Sequence, residues 1–436
     1  MKAVINAPDS IDVQQLRIGM FVHLDVGWMA HPFPLSSFKL ANAEQLATIR
    51  SLGLRRVRWS PQQSDDAFAD DVPAEVAPAA MDAEASAQSP SSPSVMPIAA
   101  EPAARIEHRR RLAAQRAALT LCERQFNEAA RECKQLSDLV AVRPQQACLQ
   151  AEALSKALVD KMLGDQDLCI RLLTDSAGDK ASMHALNVAV ISLLMGRTFG
   201  LPESDMLDLG VGAMLHDIGK TELPERVRHR EEHFSSAETR FYEEHVAHGV
   251  TLGRKMGLSP GALLVVGQHH EHADGSGFPL HLNTDRMSAA ARIVALVNRY
   301  DNLCNPHLPG KAMTPHESLS LLFAQGKSKF DTAILGAFIK MMGVYPPGST
   351  VQLTDDRFAM VVGVNSSRPL KPRVLVHEAR VPRDEALVLD LESAVGLGIR
   401  RSLRPQQLPA SALDYLSPRT RVAYFFEPVR SGAVAA

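Results

Sequence analysis

Over residues 61–104 the chain carries eight acidic residues, no lysine or arginine, and little besides alanine, proline and serine. Such a stretch cannot bury enough apolar surface to offset the entropy of ordering it, so 63–104 reads as a disordered linker. It forbids one continuous core and divides the 436 residues into separately folding parts. Ahead of it, 1–62 reads as a small α+β domain. VQQLRIGMFVHL alternates like a strand, a helix from Glu44 to about Leu52 ends at Gly53, and a short strand runs from Arg55 to Trp59.

Behind the linker, 105–144 reads as a long helix stopped at Pro144. Leu112, Leu119, Phe126, Cys133 and Val140 recur every seven residues, with Cys122, Ala129 and Leu136 between them. That stripe suits either a homodimer seam over 105–143 or packing within the chain; Gln115 and Ala129 favour the second. Residues 145–342 run helix after helix. From 343 to 428, alternating apolar segments broken by Pro, Gly and Asp-Asp turns read as a small antiparallel β unit.

Composition excludes several classes. A net charge of −2, about +6 once the linker is set aside, argues against a nucleic-acid or membrane-surface binder. No apolar run approaches the ~20 residues of a membrane span, and the opening MKAVINAPDS turns polar too soon for a secretory signal. Five scattered cysteines without a CxxC pair fit reduced thiols in a cytoplasm.

Ten of the 16 histidines fall within residues 184–281. His184, the pair His216-Asp217 in AMLHDIGK, His245, the doublet His269-His270, and Asn298 each lie on or at the end of an apolar helical segment. A lone histidine there is usually a hydrogen-bonded core residue, and His229, His233, His248 and His272 read that way or as solvated. An imidazole beside a carboxylate at the end of an apolar helix is different, because burying that pair without a partner costs several kcal/mol. Several imidazoles with one carboxylate suit iron, manganese, nickel or zinc rather than magnesium or calcium. The set exceeds one tetrahedral ion and suits two, bridged by Asp217, as in sites for displacement at phosphorus.

His184, LHDIGK, His245, HHEHADGSGFP and YDNL together resemble the HD-GYP family of HD metal-dependent phosphohydrolases, over roughly residues 150–342. The first 62 residues, with LRIGMFV and LDVGWMAHPF, resemble a domain of unknown function that commonly precedes HD-GYP modules. The resemblance implies a multidomain, mainly α-helical protein with an HD-type bundle. It implies a cytoplasmic cyclic di-GMP phosphodiesterase of bacterial signalling, cleaving to pGpG or on to GMP through a hydroxide activated by two divalent metals, iron or manganese favoured, nickel or zinc allowed. Carried over, His184, His216, Asp217, His245, His269, His270 and Asn298 stand at metal-ligand positions, and Lys220 at the position of a lysine that contacts a substrate phosphate. Gly275, Ser276, Gly277, Phe278 and Pro279 form the signature loop, for which the resemblance implies contacts to GGDEF-domain partners. His307 and Lys311 stand near the substrate-contacting segment.

Four departures qualify the match. Asn298 replaces an aspartate and removes one negative charge from the site. Lys180 stands where some members have a third-metal glutamate, which predicts no trinuclear site. Phe278 keeps a stacking ring but lacks the tyrosine hydroxyl. His307 replaces an arginine. The alternatives are a metal-weakened cyclic di-GMP sensor or protein-interaction scaffold, and an HD phosphohydrolase of another nucleotide, against which DGSGFP argues.

Overall fold

The computed structural model describes residues 10–26, 37–65, 103–164, 166–173, 179–229, 233–365 and 367–429. Most of the linker expected at 63–104 lies outside them. Two compact units divide at Arg110.

The first unit holds β1 (Ser10–Asp12), β2 (Phe21–His23), β3 (Ser37–Lys39), α1 (Ala43–Ser51) and β4 (Arg56–Trp59). The strands form one antiparallel sheet in the order β1-β4-β2-β3. Leu16, Val22, Leu24, Leu40, Ile49 and Trp59 fill its core. The alternation from Val13 to Leu24 yields a strand only at Phe21–His23. Asp12 accepts a bond from the amide of Gln14 at 2.8 Å and starts a helical turn, and Gly19 takes φ +96 just before the strand.

The second unit opens with α2 (Ala103–Leu139), which belongs to it from Arg111 onward, followed by α3 (Pro144–Met162). Pro144 opens α3 as its first helical residue, where its missing N–H costs nothing. The heptad stripe of α2 is spent inside the chain. Phe126 meets Phe425 edge-on with ring centroids 6.2 Å apart, Leu136 and Val140 join the core of the following helices, and the Gln115 amide bonds the backbone of Val388 in both directions. The homodimer seam considered for 105–143 is therefore occupied from Cys122 onward by this chain's own residues.

A helical body follows: α4 (Lys180–Thr198), α5 (Glu203–Leu215), α6 (Ser236–Met256), α7 (Pro260–Gln268), α8 (Ala289–Cys304), α9 (Pro315–Gln325) and α10 (Thr332–Met342). One strand interrupts it, β5 (Leu168–Leu172), fully buried and unforeseen in the sequence reading. β5 pairs on one side with β7 (Phe358–Asn365) and on the other with β11 (Tyr424–Pro428). With β6 (Thr350–Leu353), β8 (Arg373–Val376), β9 (Val388–Asp390) and β10 (Ile399–Leu403) they make a seven-stranded antiparallel sheet; α11 (Ala410–Leu416) precedes β11. The carboxy-terminal strands are thus stitched through β5 into the same body as the helices. Among the described residues, no helix is long and apolar enough to cross a membrane.

Candidate metal centre

Four helices deliver the histidines of the site. His184 lies in the first turns of α4 and His245 midway along α6, while His216 and His269 occupy the carboxy-terminal caps of α5 and α7. At both caps the ring Nδ1–H donates back to the helix's last carbonyls: His216 to Ala213 at 2.7 Å, His269 to Val266 at 2.8 Å. His245 does the same to Tyr242 at 2.5 Å, and His184 donates to the Asp301 carboxylate at 2.6 Å. In their neutral form these four rings carry the proton on Nδ1 and turn the Nε2 lone pair inward, the tautomer a metal ligand requires.

Those lone pairs meet around Asp217. Oδ1 lies 3.6 Å from Nε2 of both His245 and His269, while Oδ2 lies 3.5 Å from His216 and 3.7 Å from His184. Two ligand groups result, Asp217 with His245, His269 and His270, and Asp217 with His184 and His216. One carboxylate is common to both. Within the groups, Nε2 atoms face each other at 3.2 Å (His184 and His216) and 3.4 Å (His245 and His269). Two acceptors at that separation repel unless a proton or cation lies between them. Burial drives His245 down to about 3 and His269 to about 4, so near neutrality protons do not relieve that pair. The His270 Nε2 and the Asp217 Oδ1 are buried without a hydrogen-bond partner. Orphaned acceptors around a shared carboxylate are the donor set that divalent cations complete, and these residues fit such ions.

Lys220 reaches the other side of the carboxylate, its Nζ 2.6 Å from Asp217 Oδ2 and 5.4 Å from the centre of the Tyr242 ring. Burial alone disfavours both charges. The pair overrides it: Lys220 and His216 hold Asp217 well below the usual carboxylate range, and Asp217 holds Lys220 above the ordinary lysine value.

Asn298, expected at the final ligand position, is buried on α8 beside the cavity that His269 and His270 line, but its side-chain oxygen accepts from the amide of Asn302 at 2.6 Å. Asp301 does not take its place. It lies fully buried behind His184, receiving the imidazole and the amides of Asn187 and Asn305, each 2.9 Å away. Those two asparagines also bond the backbone of Val422, and Asn187 accepts from the amide of Tyr424 at 3.0 Å. The entry to β11 therefore fixes the carboxylate that orients His184, a role the sequence reading did not find.

The signature loop closes one side of the site. Phe278 stacks on His270 with centroids 4.5 Å apart and 21° between planes. Gly275 takes φ +76, and a Cβ on Gly277 would sit 2.5 Å from the Glu271 Cα and the His270 carbonyl oxygen, so both glycines are dictated by backbone. Glu271, left without a role in the sequence reading, is fully buried and accepts from the amides of Leu280 at 2.7 Å and Leu282 at 2.9 Å, which ties the loop down. His229 stacks on His307 at 3.9 Å and 13°. A cavity of about 910 Å³ opens here, lined among others by Tyr242, Phe278, Phe330, Arg299, His307 and Lys311.

The family model described as HD domain matches residues 134–334, and the domain of unknown function DUF3391 matches residues 9–151. A cyclic di-GMP phosphodiesterase of Pseudomonas aeruginosa is 28% identical over 391 residues, covering 87% of this chain and 88% of its own length. The cyclic di-GMP phosphodiesterase PdeB of Borreliella burgdorferi is 23% identical over 44% of this chain and 51% of its own length. A 3'3'-cGAMP-specific phosphodiesterase of Vibrio cholerae is 25% identical over 40% of this chain and 38% of its own. Among solved structures, an HDG"Y"P protein from Bdellovibrio bacteriovorus aligns over 76% of this chain and 97% of its own at 13% identity, with a TM-score of 0.41.

Proposed function

For a chain that carries an HD domain and, ahead of it, a DUF3391 domain, we propose a metal-dependent phosphodiesterase that opens cyclic di-GMP to linear pGpG. The observation that carries this reading is the division of Asp217 between two histidine groups, with His216 Nε2 3.5 Å from one carboxylate oxygen and His245 Nε2 3.6 Å from the other. His245, His269, His270 and Asp217 would hold one ion, and His184, His216 and Asp217 a second, with iron or manganese suited to so nitrogen-rich a set. Divalent ions in such a pair activate water and stabilise charge on a phosphoryl group. The relatives named cyclic di-GMP phosphodiesterases support the substrate.

The chain's own residues supply the rest. Lys220 is partly buried and cationic beside the cluster, placed to neutralise a non-bridging phosphate oxygen as charge develops. Phe278, Tyr242 and Phe330 offer ring faces to purines in the larger cavity, and Arg299 and Lys311 offer charge to phosphates. Phe278 also covers His270 and excludes water from that ring. Asp301, through His184, fixes a ligand's orientation without entering the cavity.

One observation favours a second reading, a cyclic di-GMP sensor of weak catalytic power. Asn298 brings no charge, and its oxygen is already engaged by Asn302. Asn298→Asp separates the two. It is expected to raise both metal retention and cyclic di-GMP turnover with added manganese, by roughly the 10–100-fold that shell residues exert on metal sites. Full metal retention in the unaltered chain, with tight cyclic di-GMP binding, no turnover and no response to Asn298→Asp, would establish the sensor instead.

A further inference from the structure

On the His184 side of the cluster lies a second cavity of about 320 Å³, at the lower end of the range of about 300–1,000 Å³ typical of small-ligand pockets. It adjoins the larger one, since Lys220, His229, Asn302 and His307 line both. Its wall is cationic. Besides Lys220 it presents Lys180, Arg228 and Arg421, together with Lys134, which pairs with Asp138 at 3.4 Å.

The carboxylates in the same wall are all engaged. Asp179 caps α4, accepting from the amides of Ala181 and Ser182 and from the Ser182 hydroxyl. Asp301 serves His184, Asn187 and Asn305, and Asp217 belongs to the metal ligands and Lys220. By contrast, among the described residues Arg228 and Arg421 donate to neutral carbonyls, Leu223 at 2.8 Å and Pro306 at 3.0 Å, which position the guanidinium groups without neutralising them. Among the described residues no carboxylate pairs with Lys180, Arg228 or Arg421. An excess of fixed positive charge in a concave site, with two guanidinium groups preset by backbone, is a receptor for a compact dianion.

We infer that this smaller cavity binds a phosphomonoester, the terminal 5′-phosphate of a linear dinucleotide whose internal phosphodiester lies at the Asp217 cluster. A phosphomonoester carries about −1.5 to −2 at pH 7, whereas each phosphodiester of the cyclic substrate carries a single negative charge. The pocket thus distinguishes the linear species from the cyclic one by charge. The inference rests on the phosphodiesterase reading for its choice of dinucleotide, but the cavity's preference for a terminal phosphate is measurable without catalysis.

The test is equilibrium dialysis of the full chain against three probes: linear diguanylate with a 5′-phosphate, the same dinucleotide with a 5′-hydroxyl, and inorganic phosphate. Cyclic di-GMP turnover is assayed in parallel. The unaltered chain is expected to bind the 5′-phosphorylated dinucleotide at least tenfold more tightly than the hydroxyl form. In the double variant Lys180→Gln/Arg421→Gln that ratio is expected to fall to within twofold. Both side chains reach solvent, so the variant is expected to fold. No preference in the unaltered chain, or a preference that survives the double substitution, overturns the inference. Binding of inorganic phosphate without any preference between the dinucleotides assigns the cavity to free phosphate and also overturns it. Absence of cyclic di-GMP turnover with the preference intact rejects the proposed activity and leaves the pocket standing.

Discussion

Asp217→Asn is expected to abolish metal retention and to lower cyclic di-GMP turnover by at least about 10²–10³-fold, the loss that follows removal of one electrostatic contributor from an active site. The reason is the shared geometry: one carboxylate faces His245 and His269 through Oδ1 and His184 and His216 through Oδ2. An amide keeps the shape and an oxygen for Lys220, but it brings no charge to either ion. Alanine is the harsher change, because it leaves the partly buried Lys220 ammonium with no acceptor in place of the carboxylate. Asparagine therefore isolates metal binding from folding. Metal analysis after gel filtration, with circular dichroism to verify the fold, reads the result. A variant that holds both ions and turns over at the original rate would remove Asp217 from the centre.

Gly219→Ala is expected to be comparably damaging by a different route. Gly219 follows the His-Asp pair by two residues and lies against α6, where a Cβ would overlap the carbonyl oxygen of His245 and the amide nitrogen of Gly249. Both neighbours are backbone and cannot rotate away, so the segment carrying Asp217 and the helix carrying His245 must separate. Overpacking of this kind costs about 1–3 kcal/mol, occasionally more. Displacement of a catalytic group by about 1 Å costs about 10²-fold in rate. A lowered unfolding midpoint together with loss of turnover is expected in denaturant titrations and assays. Unchanged stability and unchanged metal retention would contradict the close packing of this segment on α6.

The histidines that gather around Asp217 were legible in the sequence because apolar helices that end in His or His-Asp signal buried charge requiring compensation, and LHDIGK and HHE each place that signal at a helix end. The supporting residues were not. Asp301, Asn187, Asn305 and the backbone at Val422 are joined across as many as 235 positions of sequence by bonds that exist only after β11 docks. Tyr242, packed edge-on against Phe278 and tilted over His245, looked like any aromatic on an amphipathic helix. The strand Leu168–Leu172 was hidden for a similar reason: a buried five-residue apolar run has no alternation to distinguish it from helix. In the first unit the reverse happened. Alternation was present from Val13 onward, but Asp12 and Gly19 shortened the strand through local turn chemistry.

The most direct measurement is the number of transition-metal ions retained per chain after manganese or ferrous loading and desalting, taken on the sample whose cyclic di-GMP turnover is then recorded. Two ions per chain and turnover that disappears on chelation are expected. A fully folded chain that keeps fewer than one ion, or that turns over cyclic di-GMP equally well in the presence of chelator, would contradict the proposal that these imidazoles and Asp217 form a dinuclear phosphodiesterase centre.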